Sequence, residues 1–242
     1  MEYDTLIISP HLDDAFYSLG GYLLKSRPAK RKIIDIFTTS GFAPRFKRYG
    51  LDINQTSLVR RWEELKNASI VDAIVEFLNF LDAPLRGYAS PFDPPKWKEE
   101  AEMIETIKSR LCQIIEGAKI IFFPLGIGKH VDHVILFRLG LEFLLESHSN
   151  IRFYEDLPYA AGFQRWFRLD ANIGRARLES KLVSIDPIGK LKLCFTYKSQ
   201  CSPNVPLKIM MYSKMMRPLG GFYERVWSIT DLRTARKLTE VI

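Results

Sequence analysis

Five short runs of β-branched and apolar residues recur through the first 157 residues at helix-sized intervals. They are Thr5–Ser9 (TLIIS), Ile33–Thr39 (IIDIFTT), Ile74–Phe80, Lys119–Leu125 (KIIFFPL) and Ile151–Glu155. Such runs suit strands buried on both faces. The stretches between them read as helices: Gly20–Ser26 before Pro28, Gln55–Val71, Pro94–Glu116 and His133–Ser147. In the second of these, Leu58, Trp62, Leu65 and Ala68–Ser69 fall along one side, the pattern of a core-facing stripe. Strands alternating with helices imply βαβ units and a parallel sheet, and right-handed crossovers place the helices on both of its faces. The predicted fold class is therefore α/β, a Rossmann-like, doubly wound and mostly parallel sheet.

Beyond Pro158 the alternation weakens. Trp166–Leu169 and Tyr223–Ile229 read as short strands and Leu191–Ser199 as a helix. The expectation is a single domain over 1–242, with 1–157 as the core and 158–242 as a C-terminal elaboration lining or covering the site. With 242 residues, 47% of them hydrophobic and 26% charged, the chain has the composition of an ordinary globular protein. No apolar run approaches the roughly 18 residues that a membrane span needs. The start, MEYDTLIISPHLDD, carries acids early and no basic leader, so a cytoplasmic protein is expected. Cys112, Cys194 and Cys201 form no CxxC pair and read as reduced thiols. The net charge of +7 comes from scattered Lys and Arg without a nucleic-acid-binding motif, which favours a basic surface over a nucleic-acid partner. The stripe Met210, Met211, Met215 and Met216 fits core packing or a homo-oligomer contact.

Two clusters carry the chemistry. The first strand runs straight into Pro10-His11-Leu12-Asp13-Asp14, where a nucleotide-binding fold would carry GxGxxG. Adjacent carboxylates at the carboxyl end of a parallel strand repel each other and are costly to desolvate, a conflict that a divalent cation removes. The fourth strand leads into Gly126-Ile127-Gly128-Lys129-His130-Val131-Asp132-His133, which places two histidines three apart at a helix start. Three of the four histidines sit in these clusters; His148, at a helix C-terminus, suits the dipole there. Catalytic zinc takes about three His or carboxylate ligands and leaves a position open. Two histidines and one aspartate meet that need, with one Asp and one His left for acid–base work.

The pair PHLDDAFYSLGG and HVDH resembles the LmbE-like, or PIG-L, family of metal-dependent N-deacetylases. The resemblance extends in order along most of the chain, through Arg61-xx-Glu64-xxx-Ala68, Asp82, and the segments Tyr154–Ala160 and Tyr197–Gln200. It implies a Rossmann-like fold and hydrolysis of the N-acyl amide of an N-acetylglucosamine-type sugar or glycoconjugate. The alternatives are a metal-dependent amidase for a non-sugar amide and a non-catalytic sugar- or metal-binding protein. The implied metal ligands are His11, Asp14 and His133, holding zinc, with ferrous iron as the second candidate. Asp13 is implied as general base, His130 as the group that stabilises or protonates the reacting centre, and Asp132 as the carboxylate that orients His130. Where the family's common form has Pro and Glu, this chain has Leu12 and Ala15. Where some members carry a tyrosine two residues before the catalytic His, it has Gly128, so any tyrosine contribution to oxyanion stabilisation falls to Tyr159 or another residue. Arg61, Asp82, Asp156 and Tyr159 are the candidate substrate-binding residues, and the loop Arg45–Tyr49 has the basic and aromatic character to hold an anionic substrate.

Overall fold

The computed structural model describes residues 3–26, 30–146, 150–162, 178–200 and 202–242. Seven strands form one sheet: β1 (Tyr3–Ser9), β2 (Arg31–Asp35), β3 (Ala73–Phe77), β4 (Ala118–Pro124), β5 (Ile151–Tyr154), β6 (Leu178–Ile185) and β7 (Phe222–Ile229). Their order is β3-β2-β1-β4-β5-β7-β6. The first five run parallel, and β7 pairs antiparallel with both β5 and β6. The helices are α1 (Asp14–Lys25), α2 (Ile53–Val71), α3 (Ala101–Ile115), α4 (Val131–Leu145), α5 (Pro187–Thr196), α6 (Asn204–Met215) and α7 (Leu232–Val241). Helices α1, α2 and α5 pack together, while α4 packs on α7 and is joined to α3 by Lys108 and Glu142. The α/β sheet is as expected. His148, Cys201 and the expected strand Trp166–Leu169 lie outside the described residues.

Three expectations shift, each for a local reason. Helix α1 begins at Asp14, six residues before the expected start, so the last acid of PHLDD is already helical. The expected helix from Pro94 begins only at Ala101. Before it, the Lys96 N–H donates to Tyr88 Oη, while Glu100 is drawn to Arg86 and Tyr88. Helix α2 turns its apolar stripe outward: Leu58, Trp62 and Leu65 are 63%, 62% and 48% exposed. Its buried face is polar, with Thr56, Arg60, Glu63, Glu64 and Asn67, because that face looks onto the strand ends where the charged groups gather.

Gly20 and Gly21 serve close packing. A Cβ on Gly21 would lie 2.5 Å from Ile185 Cγ2, and one on Gly20 would lie 3.0 Å from Leu193 Cδ1. The gap lets a buried ion pair reach the helix backbone. Lys190 Nζ donates to the Phe16 and Tyr17 carbonyls and contacts Glu224, whose two oxygens accept the N–H groups of Gly21 and Tyr22. Both side chains are fully buried, so removing one partner strands a charge in the core. Glu224→Ala is expected to cost about 3–5 kcal/mol, read as a lowered urea midpoint.

Candidate metal centre

The sheet order changes direction between β1 and β4, and ligands of open α/β sheets bind in the crevice outside such a switch point. Both histidine clusters leave the carboxyl ends of these two strands. His11 follows β1, Asp14 opens α1, and His130 caps α4 just ahead of His133. The His11 ring centroid stands 4.8 Å from that of His130 and 5.4 Å from that of His133.

Asp14 is the hinge of the cluster. Its Oδ2 accepts the His11 N–H at 3.0 Å and lies 3.1 Å from His11 Nδ1 and 3.2 Å from His133 Nε2. Ligands about 2.0–2.2 Å from a tetrahedral zinc ion stand about 3.3–3.6 Å apart, so these two separations from the ring nitrogens are close to those within a ligand set. The far side of each imidazole is occupied by a carboxylate. His11 Nε2 is 2.8 Å from Asp132 Oδ2, and His133 Nδ1 is 2.6 Å from Asp156 Oδ1. Backing of this kind fixes the tautomer and aims the other nitrogen at a cation. Among the described residues the buried His133 Nε2 makes no hydrogen bond, although Asp14 Oδ2 stands 3.2 Å away, so it is a nitrogen that a metal would satisfy. The residues therefore fit a divalent cation. The three imidazoles also offer nitrogens within 4.8 Å of one another, so His130 stands at the edge of the same site.

Charge is distributed unevenly over the two aspartates. Burial alone would raise Asp14, but the His133 charge and the His11 hydrogen bond hold it well below the usual carboxylate range. The Asp13 carboxylate takes no hydrogen bond from either imidazole among the described residues, and the charges of Arg60, His11 and His133 offset its burial less. Burial, and then the Asp14 charge, push it up to about 7, with Arg60 Nη2 3.9 Å away as its nearest cation. A carboxylate near neutrality is suited to taking and returning a proton. His130 is driven down to about 2, by burial first and then by the neighbouring imidazoles His11 and His133. Its Nδ1 accepts the Asp132 N–H at 3.3 Å, which leaves Nε2 as the protonated nitrogen of a neutral ring.

The other candidates divide. Tyr159 reaches the centre, its ring 5.4 Å from His133 and 6.1 Å from His130. Asp82 is buried beside it with one oxygen unpartnered, and the next residue's N–H donates to Asp132. Asp156 is held by His133 and by the Ile127 N–H, so its carboxylate is committed behind that imidazole instead of facing sugar hydroxyls. Asp132 gives its carboxylate to His11, standing 3.9 Å from His130 and meeting that ring through its backbone N–H. Arg61 turns away: its Nη2 donates to Asn79 Oδ1 and its guanidinium lies over the Phe77 ring. Arg60, one residue earlier, is the one that approaches Asp13, anchored by Ser40 Oγ at 2.9 Å. A second residue outside the expected set is Arg86, which grips Asp132 and Glu100 at 2.6 Å each over the face of Phe37.

The family model described as PIG-L, GlcNAc-PI de-N-acetylase, matches residues 6–144, from β1 through most of α4. The chain belongs to this family. As a PIG-L member it is a hydrolase of linear amide bonds, a de-N-acetylase. It is 29% identical over 225 residues to the 2'-N-acetylparomamine deacetylase of Streptomyces fradiae, covering 88% of this chain and 79% of that protein. The fold is shared with a zinc-inhibited form of teicoplanin deacetylase (TM-score 0.74, 21% identity, 92% and 96% of the two chains covered). It is shared too with the N,N'-diacetylchitobiose deacetylase of Pyrococcus horikoshii (TM-score 0.61, 17% identity, 94% and 84% covered). Among the described residues no helix is long and apolar enough to cross a membrane.

The Asp156 contact makes a prediction specific to this geometry. Asp156→Asn should weaken metal affinity by roughly 10–100-fold, measured by competition with a chelating dye. At saturating metal the variant should recover most of its turnover.

Proposed function

We propose that this PIG-L protein is a metal-dependent N-deacetylase that hydrolyses the N-acyl amide of an N-acetylglucosamine-type sugar or glycoconjugate. The observation that carries the reading is the convergence of His11 Nδ1 and His133 Nε2 on Asp14 Oδ2, at 3.1 and 3.2 Å, beside an uncommitted Asp13. His11, Asp14 and His133 would hold zinc or ferrous iron. Bound there, the cation would polarise the acyl carbonyl and lower the pKa of an attacking water.

The chain's own groups supply the rest. Asp13 takes the water's proton as the carbon–oxygen bond forms, with the Arg60 guanidinium 3.9 Å away as a nearby positive charge. His130 donates through Nε2–H to the oxygen that gains charge; one preorganised donor of this kind is commonly worth about 3 kcal/mol of barrier. The neutral ring makes His130 a hydrogen-bond donor in this scheme, and the proton for the departing amine comes from Asp13. The carbon–nitrogen bond then breaks to give acetate and the free amino sugar. We assign contacts with sugar hydroxyls to Tyr159, whose ring lies 5.4 Å from that of His133, and to Asp82, which carries one buried oxygen with no hydrogen-bond partner among the described residues.

The test is acetate release from matched panels of N-acetyl amino sugars and N-acetyl amino acids. Release confined to the sugars supports the reading, whereas faster release from the amino acids would make the protein an amidase of another substrate class.

A further inference from the structure

A cavity of 510 Å³ opens between the turn Pro44–Tyr49 and the end of α5, and none of its lining residues belongs to the metal centre. Three cations, Arg45, Arg48 and Lys198, line it beside Phe46, Phe195 and Tyr197; the Tyr197 side chain is fully buried, so Phe46 and Phe195 are the rings open to a ligand, and among the described residues no acid lines it. Among the described residues none of the three cations has an acidic partner, whereas Arg86, Lys108 and Lys190 are all paired. Like charges gathered in a concavity repel one another, a cost that a bound anion removes. Guanidinium forks match phosphate oxygens, and ring faces accept planar groups and cations. Arg48 already lies 4.8 Å from the Tyr49 ring centroid and donates to its hydroxyl.

The walls are tied to the metal centre's own edge of the sheet. The Arg45 N–H donates to the Ser199 carbonyl, and Gln200 Nε2 donates to the Phe42 carbonyl. Ser199 is held by Glu63 through both its N–H and its hydroxyl, at 2.9 and 2.6 Å. Glu63 stands one helical turn from Arg60, the residue beside Asp13.

We propose that this cavity binds a phosphate-bearing, ring-containing arm of the substrate, for which a nucleoside diphosphate is the chemical class. The inference deepens the functional reading above and rests on it only in assigning the anion to the acyl-sugar substrate. Because binding needs no turnover, the two can fail separately.

The experiment is calorimetric titration of the full chain with UDP, with uridine and with inorganic pyrophosphate. UDP should bind more weakly as salt rises, and uridine should give no measurable heat at the same concentrations. Arg45→Ala/Arg48→Ala should weaken UDP at least tenfold. Arg45→Lys/Arg48→Lys, which keeps the charge but loses the forks, should fall between, and it serves as the test if the alanine variant does not fold. Asp14→Ala should bind UDP normally, which separates the cavity from the metal centre. Absence of UDP binding, undiminished binding in the alanine variant, or loss of binding in Asp14→Ala would each overturn the proposal. Pyrophosphate binding as tightly as UDP would overturn its ring-binding half, since a lipid-linked diphosphate would then satisfy the cavity equally.

Discussion

Asp14→Ala is expected to reduce the metal content of the purified protein from about one ion per chain to near zero. Among the described residues this carboxylate is the single group within 3.2 Å of both His11 Nδ1 and His133 Nε2, so its loss leaves two imidazoles without the third donor. The effect should appear in stability as well. A ligand at a thousand times its dissociation constant stabilises the folded state by about 4 kcal/mol, and wild-type protein should therefore melt higher with metal than after chelation. In Asp14→Ala that difference should vanish. A variant that still held one ion per chain would show that the three histidines, whose nitrogens lie within 4.8 Å of one another, suffice without it.

Asp13→Asn should act on rate alone. Among the described residues the Asp13 carboxylate makes no hydrogen bond to either imidazole, its link to His11 being the backbone Asp13 N–H to the His11 carbonyl, and burial with the adjacent Asp14 charge pushes its pKa up to about 7. Replacing it by an isosteric amide removes the proton acceptor while leaving the ligand set intact. The expected loss in kcat is roughly 10²–10⁴-fold, the usual contribution of a positioned general base, with metal content and melting temperature close to wild type. A fall in metal content matching the fall in kcat would place Asp13 among the ligands instead.

Much of this was legible in the residues because strand and motif are contiguous. TLIIS passes directly into PHLDD, and KIIFFPL is followed shortly by HVDH, so a parallel sheet brings both clusters to one edge whatever the exact element boundaries. Helix α2 was misleading for a physical reason. Periodicity rules take the apolar side as the buried one, whereas here Arg60, Glu63, Glu64 and Asn67 face inward and bond to Ser40, Ser199, Tyr197 and the Leu193 carbonyl. The usable signal was that polar spacing itself, at i, i+3, i+4 and i+7, on a helix following a strand that ends at the site. The division of labour among the acids was not readable either. Asp132 lies beside His130 in sequence, yet its carboxylate serves His11, 121 positions away, because the helix turn between them directs the side chain back toward β1. Arg86 gave no local signal, since its partners Glu100 and Asp132 are brought to it by the loop before α3 and the start of α4.

The most direct test of the central claim is acetate release from an N-acetylated amino sugar while zinc or ferrous iron is titrated back into chelator-stripped protein. The account predicts no release from the stripped chain, then a rise that saturates at about one equivalent of metal. Release that persists in fully stripped protein, or that fails to appear at any metal load across the sugar panel, would contradict it.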